Sequence, residues 1–242
     1  MHAAQMADQL TGWLCKQMET RGARGFVVGL SGGIDSAVTL ALCKRACPQN
    51  TLGIIMPCYS DPQDALDARA IAEALCVPVE EVNLSEPFEL MVKKLTGKSY
   101  KGQEKDLTVA NIKPRLRMIT LYFFAARHQY LVVGTGNCSE LTIGYFTKYG
   151  DGGVDLLPLG NLVKFQVREL AVVLGISRQI IKKTPSAGLW TGQYDEAEMG
   201  ITYDELDELI FSGKSSDRVR EVVETLAARN AHKKEMPVRP PF

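Results

Sequence analysis

The stretch from Phe26 to Ser36 (FVVGLSGGIDS) gathers the residue types of this sequence that could handle a phosphate. Its apolar, β-branched lead (Phe26, Val27, Val28, Leu30) predicts a buried strand, and the run from Ile34 to Cys47, free of internal Gly and Pro, predicts a helix. Ser31, Gly32 and Gly33 form the junction. The first N–H groups of a helix have no intrahelical partner and sit at the positive end of its dipole, so an anion there completes their hydrogen bonding. Glycines let the backbone close on that anion, Ser31 and Ser36 add hydroxyls, and Asp35 adds a carboxylate able to hold a phosphate-bound Mg²⁺. The pattern reads as a pyrophosphate cradle. It lacks the lysine of GxxxxGK[ST] and does not have the spacing of GxGxxG, so neither the common P-loop nor the dinucleotide fingerprint fits.

The elements that must position this turn alternate along the chain. A first helix spans 3 to about 21, with Met6, Leu10, Trp13, Leu14 and Met18 in a stripe. After the opening strand and helix, Thr51 to Met56 predicts a strand, and Asp61 with Pro62 opens a helix to about Leu75. Val79 to Leu84 predicts a third strand, followed by a helix around Pro87 to Leu95 and a polar loop over 97 to 108. Val109, Ile112, Leu116, Ile119, Phe123 and Ala126 recur at helical spacing, and Leu131 to Thr135 supplies another short strand. The segment 136 to 163 reads as irregular, Lys164 to Leu174 as helical, a short helix runs through Ile180 and Ile181, and 184 to 200 is irregular again. Thr202 and Glu205 form a capping box for a helix ending at Gly213, and a last helix covers about Ser216 to Asn230. This order predicts an α/β fold, a doubly wound parallel sheet flanked by helices, in a single domain over 1 to 242. Ligands in such folds sit at the carboxyl ends of the strands, where both the SGGIDS turn and the segment from Thr135 fall.

A chain of 242 residues is long enough for a sizeable core, and 28 basic residues balance 28 acidic ones. Zero net charge argues against broad binding to nucleic acid or anionic membrane. Apolar runs are too short to span a bilayer and the N-terminus has no signal-peptide core, so a cytoplasmic location is expected. The six cysteines (Cys15, Cys43, Cys47, Cys58, Cys76, Cys138) contain no CxxC pair and read as reduced, mostly buried thiols.

SGGIDS resembles the SGGxDS signature of the N-type ATP pyrophosphatases, the PP-loop superfamily, which split ATP between its α and β phosphates. A second stretch, residues 134 to 170 (GTGNCSELTIGYFTKYGDGGVDLLPLGNLVKFQVREL), together with the first closely resembles the synthetase domain of ammonia-dependent NAD synthetase. The resemblance implies an ATP-dependent ligase. The carboxylate of deamido-NAD attacks the α-phosphorus of ATP, pyrophosphate leaves, and ammonia displaces AMP from the acyl adenylate to give NAD. It implies ATP contacts at Gly29, Leu30, Ser31, Gly32, Gly33, Ile34, Asp35, Ser36, Thr135, Lys164 and Ser186, with Asp35 and Lys164 as catalytic residues. Mg²⁺ would be held by Asp35 and Glu140, and deamido-NAD by Arg115, Lys148, Asp155, His232 and Lys233. From the residues alone, Arg117 competes with Arg115, and Glu140, Lys148 or Lys164 taken singly could be solvated surface. The family's glutamine-cleaving amidase domain has no room in the roughly 25 residues before the first strand, so ammonia is expected from solution or a separate subunit. A homodimer is expected, with the stripes of the first helix and of 109 to 126 as candidate faces. Two alternatives stay open: another PP-loop adenylating enzyme, such as a tRNA thiolase or a GMP synthetase, and a non-catalytic nucleotide sensor.

Overall fold

Four parallel strands set the frame of the computed structural model, which describes residues 2–102, 105–190 and 192–241. These are β1 (Gly25–Leu30), β2 (Thr51–Ile55), β3 (Val79–Glu81) and β4 (Tyr130–Val133), in the order β3-β2-β1-β4. Phe26 lies opposite Thr51 on one side and Leu131 on the other. The helices are α1 (Ala3–Thr20), α2 (Ile34–Ala46), α3 (Pro62–Ala74), α4 (Ser85–Thr96), α5 (Leu107–Ala110) and α6 (Ile112–His128). They continue with α7 (Cys138–Ile143), α8 (Lys164–Val173), α9 (Arg178–Ile181), α10 (Asp195–Met199), α11 (Tyr203–Ser212) and α12 (Asp217–Asn230).

Along β1, Phe26, Val28 and Leu30 enter a core shared with α1, α2, α3 and α8, while Val27 enters a second core with α4 and α6. A strand covered on both faces needs the continuous apolar run that the sequence shows. A third cluster joins Ile143 of α7 to α11 and α12. The chain builds outward from β1 through β2 to β3 and then returns to β4 on the far side of β1. The order reverses between β1 and β4, which opens a crevice at their carboxyl ends. The expected doubly wound parallel sheet is present.

Several boundaries shift for identifiable reasons. β3 ends at Glu81 rather than Leu84, because the edge strand is exposed and Asn83 accepts from the Ser85 N–H at 2.9 Å, starting α4 two residues early. β4 stops at Val133, where Leu156 takes over a parallel bridge. The helix expected from Val109 is broken at Asn111: α5 is capped by Asp106, and α6 starts afresh. Loop 97 to 108 therefore ends in α5, and its residues 103 and 104 lie outside the described residues. The apolar stripe over 109 to 126 divides: Val109 lies in the second core with Ile112 and Leu116 packed against it, but its later residues turn outward. Ile119 and Phe123 are 59% and 58% exposed, while Lys113, Pro114 and Ala125 are buried. The irregular segments 136 to 163 and 184 to 200 each contain a short helix, α7 and α10. All six cysteines are free, but Cys43 and Cys58 are buried and Cys76 is exposed, so the thiols are less buried than expected. Among the described residues no helix is long and apolar enough to cross a membrane.

Candidate active site

The turn after β1 is built to leave donors open. Gly33 is the N-cap of α2 and supplies no side-chain cap, and Gly32 takes a left-handed φ of 75° that favours glycine. A Cβ on Gly32 would stand 2.4 Å from the Asp64 carbonyl oxygen, so the turn presses directly on the start of α3. Ser36 Oγ donates to the Gly33 carbonyl at 2.9 Å and lies 3.2 Å from Ser31 Oγ, which holds both hydroxyls on the turn. Gly29, Leu30 and Ile34 contribute backbone here, with Leu30 and Ile34 buried in the core.

Across the crevice, β4 leads through Thr135 into α7. Asn137 caps α7 in a capping box: the Glu140 N–H donates to Asn137 Oδ1 at 3.0 Å, and the Asn137 N–H donates to Glu140 Oε2 at 3.2 Å. The same Asn137 donates from Nδ2 to Asp35 Oδ1 at 2.9 Å. One fully buried amide thereby fixes both carboxylates. Lys164, the first residue of α8, completes the group from beneath. Its Nζ donates to Asp35 Oδ2 at 2.6 Å and to Glu140 Oε1 at 3.4 Å, and lies 4.7 Å from the centre of the Tyr203 ring. At 2% exposure it is no surface lysine.

The Lys164 position is itself held by a buried clamp. Its backbone N–H donates to Ser139 Oγ at 3.1 Å, Ser139 Oγ donates to Asp207 Oδ1 at 2.5 Å, and the Phe165 N–H donates to Asp207 Oδ2 at 2.8 Å. Asp207 on α11 thus caps α8 from another element. Asp195 closes the far side, accepting from the Tyr203 hydroxyl at 3.0 Å and the Tyr145 hydroxyl at 3.1 Å.

The charges do not balance. Formally, Asp35, Glu140 and Asp195 face one ammonium, an excess of two negative charges in a site largely withdrawn from water. Burial, with Asp35 nearby and only Lys164 and an N–H opposing, pushes Glu140 up to about 7. Burial likewise raises Asp195 against the pull of Lys164. Burial disfavours the charge of Lys164, but Asp35 and then Glu140 outweigh it and hold the ammonium above its ordinary value. Such an excess of hard oxygen donors fits a divalent cation. Asp35 and Glu140 are the two carboxylates that could hold one.

The remaining expected residues fall into two groups. Arg115, Lys148, His232 and Lys233 come together: Arg115 Nη2 donates to the Lys148 carbonyl at 3.5 Å, Lys148 Nζ donates to the His232 carbonyl, and Lys233 Nζ donates to the Gly144 and Phe146 carbonyls at 2.8 Å each. Asp155 stands apart against β4, where its carboxylate accepts from the Val132 N–H at 2.8 Å and the Tyr122 hydroxyl at 3.1 Å. Ser186 is exposed, its Oγ accepting from the Gly188 N–H at 3.1 Å. Arg117, the rival of Arg115, turns inward and donates to the Met56 carbonyl at 3.3 Å and to Ser60 Oγ at 3.2 Å.

Sequence reasoning missed Asn137, Ser139, Asp195, Tyr203 and Asp207. Only Asn137 carried a readable signal, because Asn followed three residues later by Glu is a capping-box pattern.

The NAD synthase family model matches residues 6–237 of the chain. An NH(3)-dependent NAD(+) synthetase of Carboxydothermus hydrogenoformans is 50% identical over 98% of this chain and 97% of its own. Among solved structures, one described as the NMN synthetase of Francisella tularensis superposes with a TM-score of 0.94 at 36% identity, covering 100% of both chains. The NAD+ synthetase of Burkholderia pseudomallei superposes with a TM-score of 0.80 at 30% identity, over 98% of this chain and 91% of its own. A match of this length, on a fold whose glycine turn after β1 meets a buried cluster of carboxylate, amide and lysine, makes the chain a member of the NAD synthase family.

Proposed function

We propose that this protein is an ammonia-dependent ligase that converts deamido-NAD, ATP and ammonia into NAD, AMP and pyrophosphate. The observation that carries the reading is the meeting of Asp35, from the turn after β1, with Lys164 and Glu140 from the 134 to 170 segment. The open N–H groups at the start of α2, with Ser31 and Ser36, hold the β and γ phosphates, and Thr135 and Ser186 contact ATP. Lys164 offsets the charge that builds on the phosphates as the bond to the α-phosphorus breaks. The substrate carboxylate takes that phosphorus, and ammonia then attacks the acyl carbon and releases AMP. No side-chain nucleophile is required. Asp35 and Glu140 would hold Mg²⁺, which would supply charge neutralisation for the phosphates. Preorganised donors that need no rearrangement supply the larger part of such catalysis.

Arg115, Lys148, Asp155, His232 and Lys233 are assigned to deamido-NAD, Asp155 from its place against the end of β4. We also assign the protein to the cytoplasm, to which six free thiols are suited. We assign it a homodimeric state in which exposed Ile119 and Phe123 of α6 are covered. Light scattering of the purified protein should give twice the 26.6 kDa chain mass; a monomer mass at micromolar concentration would refute the dimer.

A second reading has its own support. The TM-score of 0.94 to a structure described as an NMN synthetase exceeds the 0.80 to the Burkholderia NAD+ synthetase. Amidation of the mononucleotide acid would use the same activation chemistry on a smaller substrate. Parallel assays with ATP, Mg²⁺, ammonium and either acid decide between them. AMP, pyrophosphate and the amide should form in equal amounts, with kcat/KM at least tenfold higher for deamido-NAD. A reversed preference selects the mononucleotide, and ADP with phosphate would sink both.

A further inference from the structure

Lys183 lies just past α9, where the segment 184 to 200 begins, and has no place in the site described so far. Its Nζ donates to three oxygens: the Gly32 carbonyl at 3.3 Å, Asp64 Oδ1 at 2.8 Å and Asp67 Oδ2 at 2.5 Å. Asp67 is 5% exposed, and its other oxygen accepts from Gln63 Nε2 at 2.8 Å and Gln179 Nε2 at 3.3 Å. Burial works against the charge on Asp67, but the bonds from Lys183 and Gln63 outweigh it and hold the carboxyl below its ordinary range. The lysine is therefore fixed by groups that are fixed themselves.

The bond to Gly32 matters for the direction of one peptide plane. In a trans peptide the carbonyl and the following N–H point opposite ways. With the Gly32 carbonyl turned toward Lys183, the Gly33 N–H points to the other side of the turn. Among the described residues it meets the Ser31 hydroxyl there, at 3.3 Å, a partner that an anion could share or replace. The two angles that turn this plane, ψ of Gly32 and φ of Gly33, both belong to glycines and are loosely held, so the plane would flip readily without a tie. Lys183 supplies that tie, and α3 supplies the wall, since Asp64 is both a partner of Lys183 and the residue whose carbonyl presses on Gly32.

We propose that Lys183 is a positioning residue for the pyrophosphate end of ATP, orienting the Gly32–Gly33 peptide and joining the phosphate turn, α3 and the segment 184 to 200 into one unit. It touches no phosphate. Ser186 follows it by three residues and Asp195 lies farther along the same segment, so order at the turn and order in that segment rise together. The inference rests on the reading that residues 29 to 36 hold the ATP phosphates.

The test is binding of inorganic pyrophosphate with Mg²⁺, followed by calorimetry, alongside steady-state KM values for ATP and deamido-NAD. Lys183→Met should weaken pyrophosphate binding and raise KM for ATP at least tenfold, with KM for deamido-NAD within twofold of the parent. Lys183→Arg keeps charge and donors and should recover most of the loss. To remove the charge stranded on Asp67, the double variant Lys183→Met with Asp67→Asn is measured as well. If it folds with the parent melting temperature and still shows the selective ATP defect, the positioning role stands. Parent-like pyrophosphate binding in either folded variant overturns it while leaving the reading of the turn intact. Equal losses for both substrates, tracking melting temperature alone, make Lys183 merely structural and also overturn it. Absence of pyrophosphate binding in the parent protein would overturn the reading of the turn and this inference with it.

Discussion

Lys164→Met is expected to lower kcat by about 10²–10³-fold, the scale on which single preorganised charge-stabilising groups act. The side chain is 2% exposed and reaches Asp35 at 2.6 Å, so water cannot replace it. Methionine fills nearly the same volume, which separates loss of charge from loss of packing. Removing the cation strands Asp35, Glu140 and Asp195 without a counter-charge. Breaking a buried pair in this way costs about 3–5 kcal/mol. Lys164→Arg should rescue little, because a planar fork does not fit a slot shaped for a compact ammonium beneath the Tyr203 ring. Single-turnover assays at saturating ATP check the prediction. A variant that turns over within threefold of the parent would remove Lys164 from the catalytic set.

The second large effect is on stability and comes from a residue with no chemistry of its own. Asp207→Ala removes the acceptor for the Ser139 hydroxyl and for the Phe165 N–H, both in the interior. Each hydrogen bond to a charged acceptor contributes about 1.5–3 kcal/mol, and a lost cap about 1. Roughly 3–5 kcal/mol should go, which at about 2–4 °C per kcal/mol for a chain of this size lowers Tm by about 6–20 °C. Asp207→Asn should cost less, since its carbonyl oxygen still accepts one of the two donors. Activity should fall in both, because the clamp sets where α8 begins and hence where Lys164 stands. Thermal unfolding followed by circular dichroism decides. A Tm change under 2 °C for the alanine variant would show that α8 needs no cap from α11.

The strand, turn and helix around Gly32 were legible because everything that makes them is local: an apolar run, two glycines and a helix start within a few residues. Asp35 could be singled out for the same reason, whereas Glu140 could be named only through the family resemblance of residues 134 to 170. What the chain did not disclose was reach. Phe165 finds its cap 42 residues away, and Lys183 meets Gly32 across 151 residues. No periodicity encodes such pairs. The α6 stripe was legible only in part, for a different reason. Spacing of three and four shows which side chains share a helix face, not whether that face meets the core, and here Ile119 and Phe123 look outward while Lys113 is buried. Lys164 illustrates the converse, since a lysine at a helix start usually belongs to solvent and only its fold neighbours make it internal.

The wide separation of Asp35 from its partners, 102 residues to Asn137 and 129 to Lys164, also bears on the birth of the molecule. Chains emerge from the ribosome amino end first, and contacts distant in sequence close late. A nascent chain that has reached only α2 lacks β4, which pairs with β1, and lacks the amide and the ammonium that meet Asp35. Synthesis must pass α8, and α11 must follow to clamp it, before the machinery is whole. Asp35 therefore gains its partners only when most of the chain has been made.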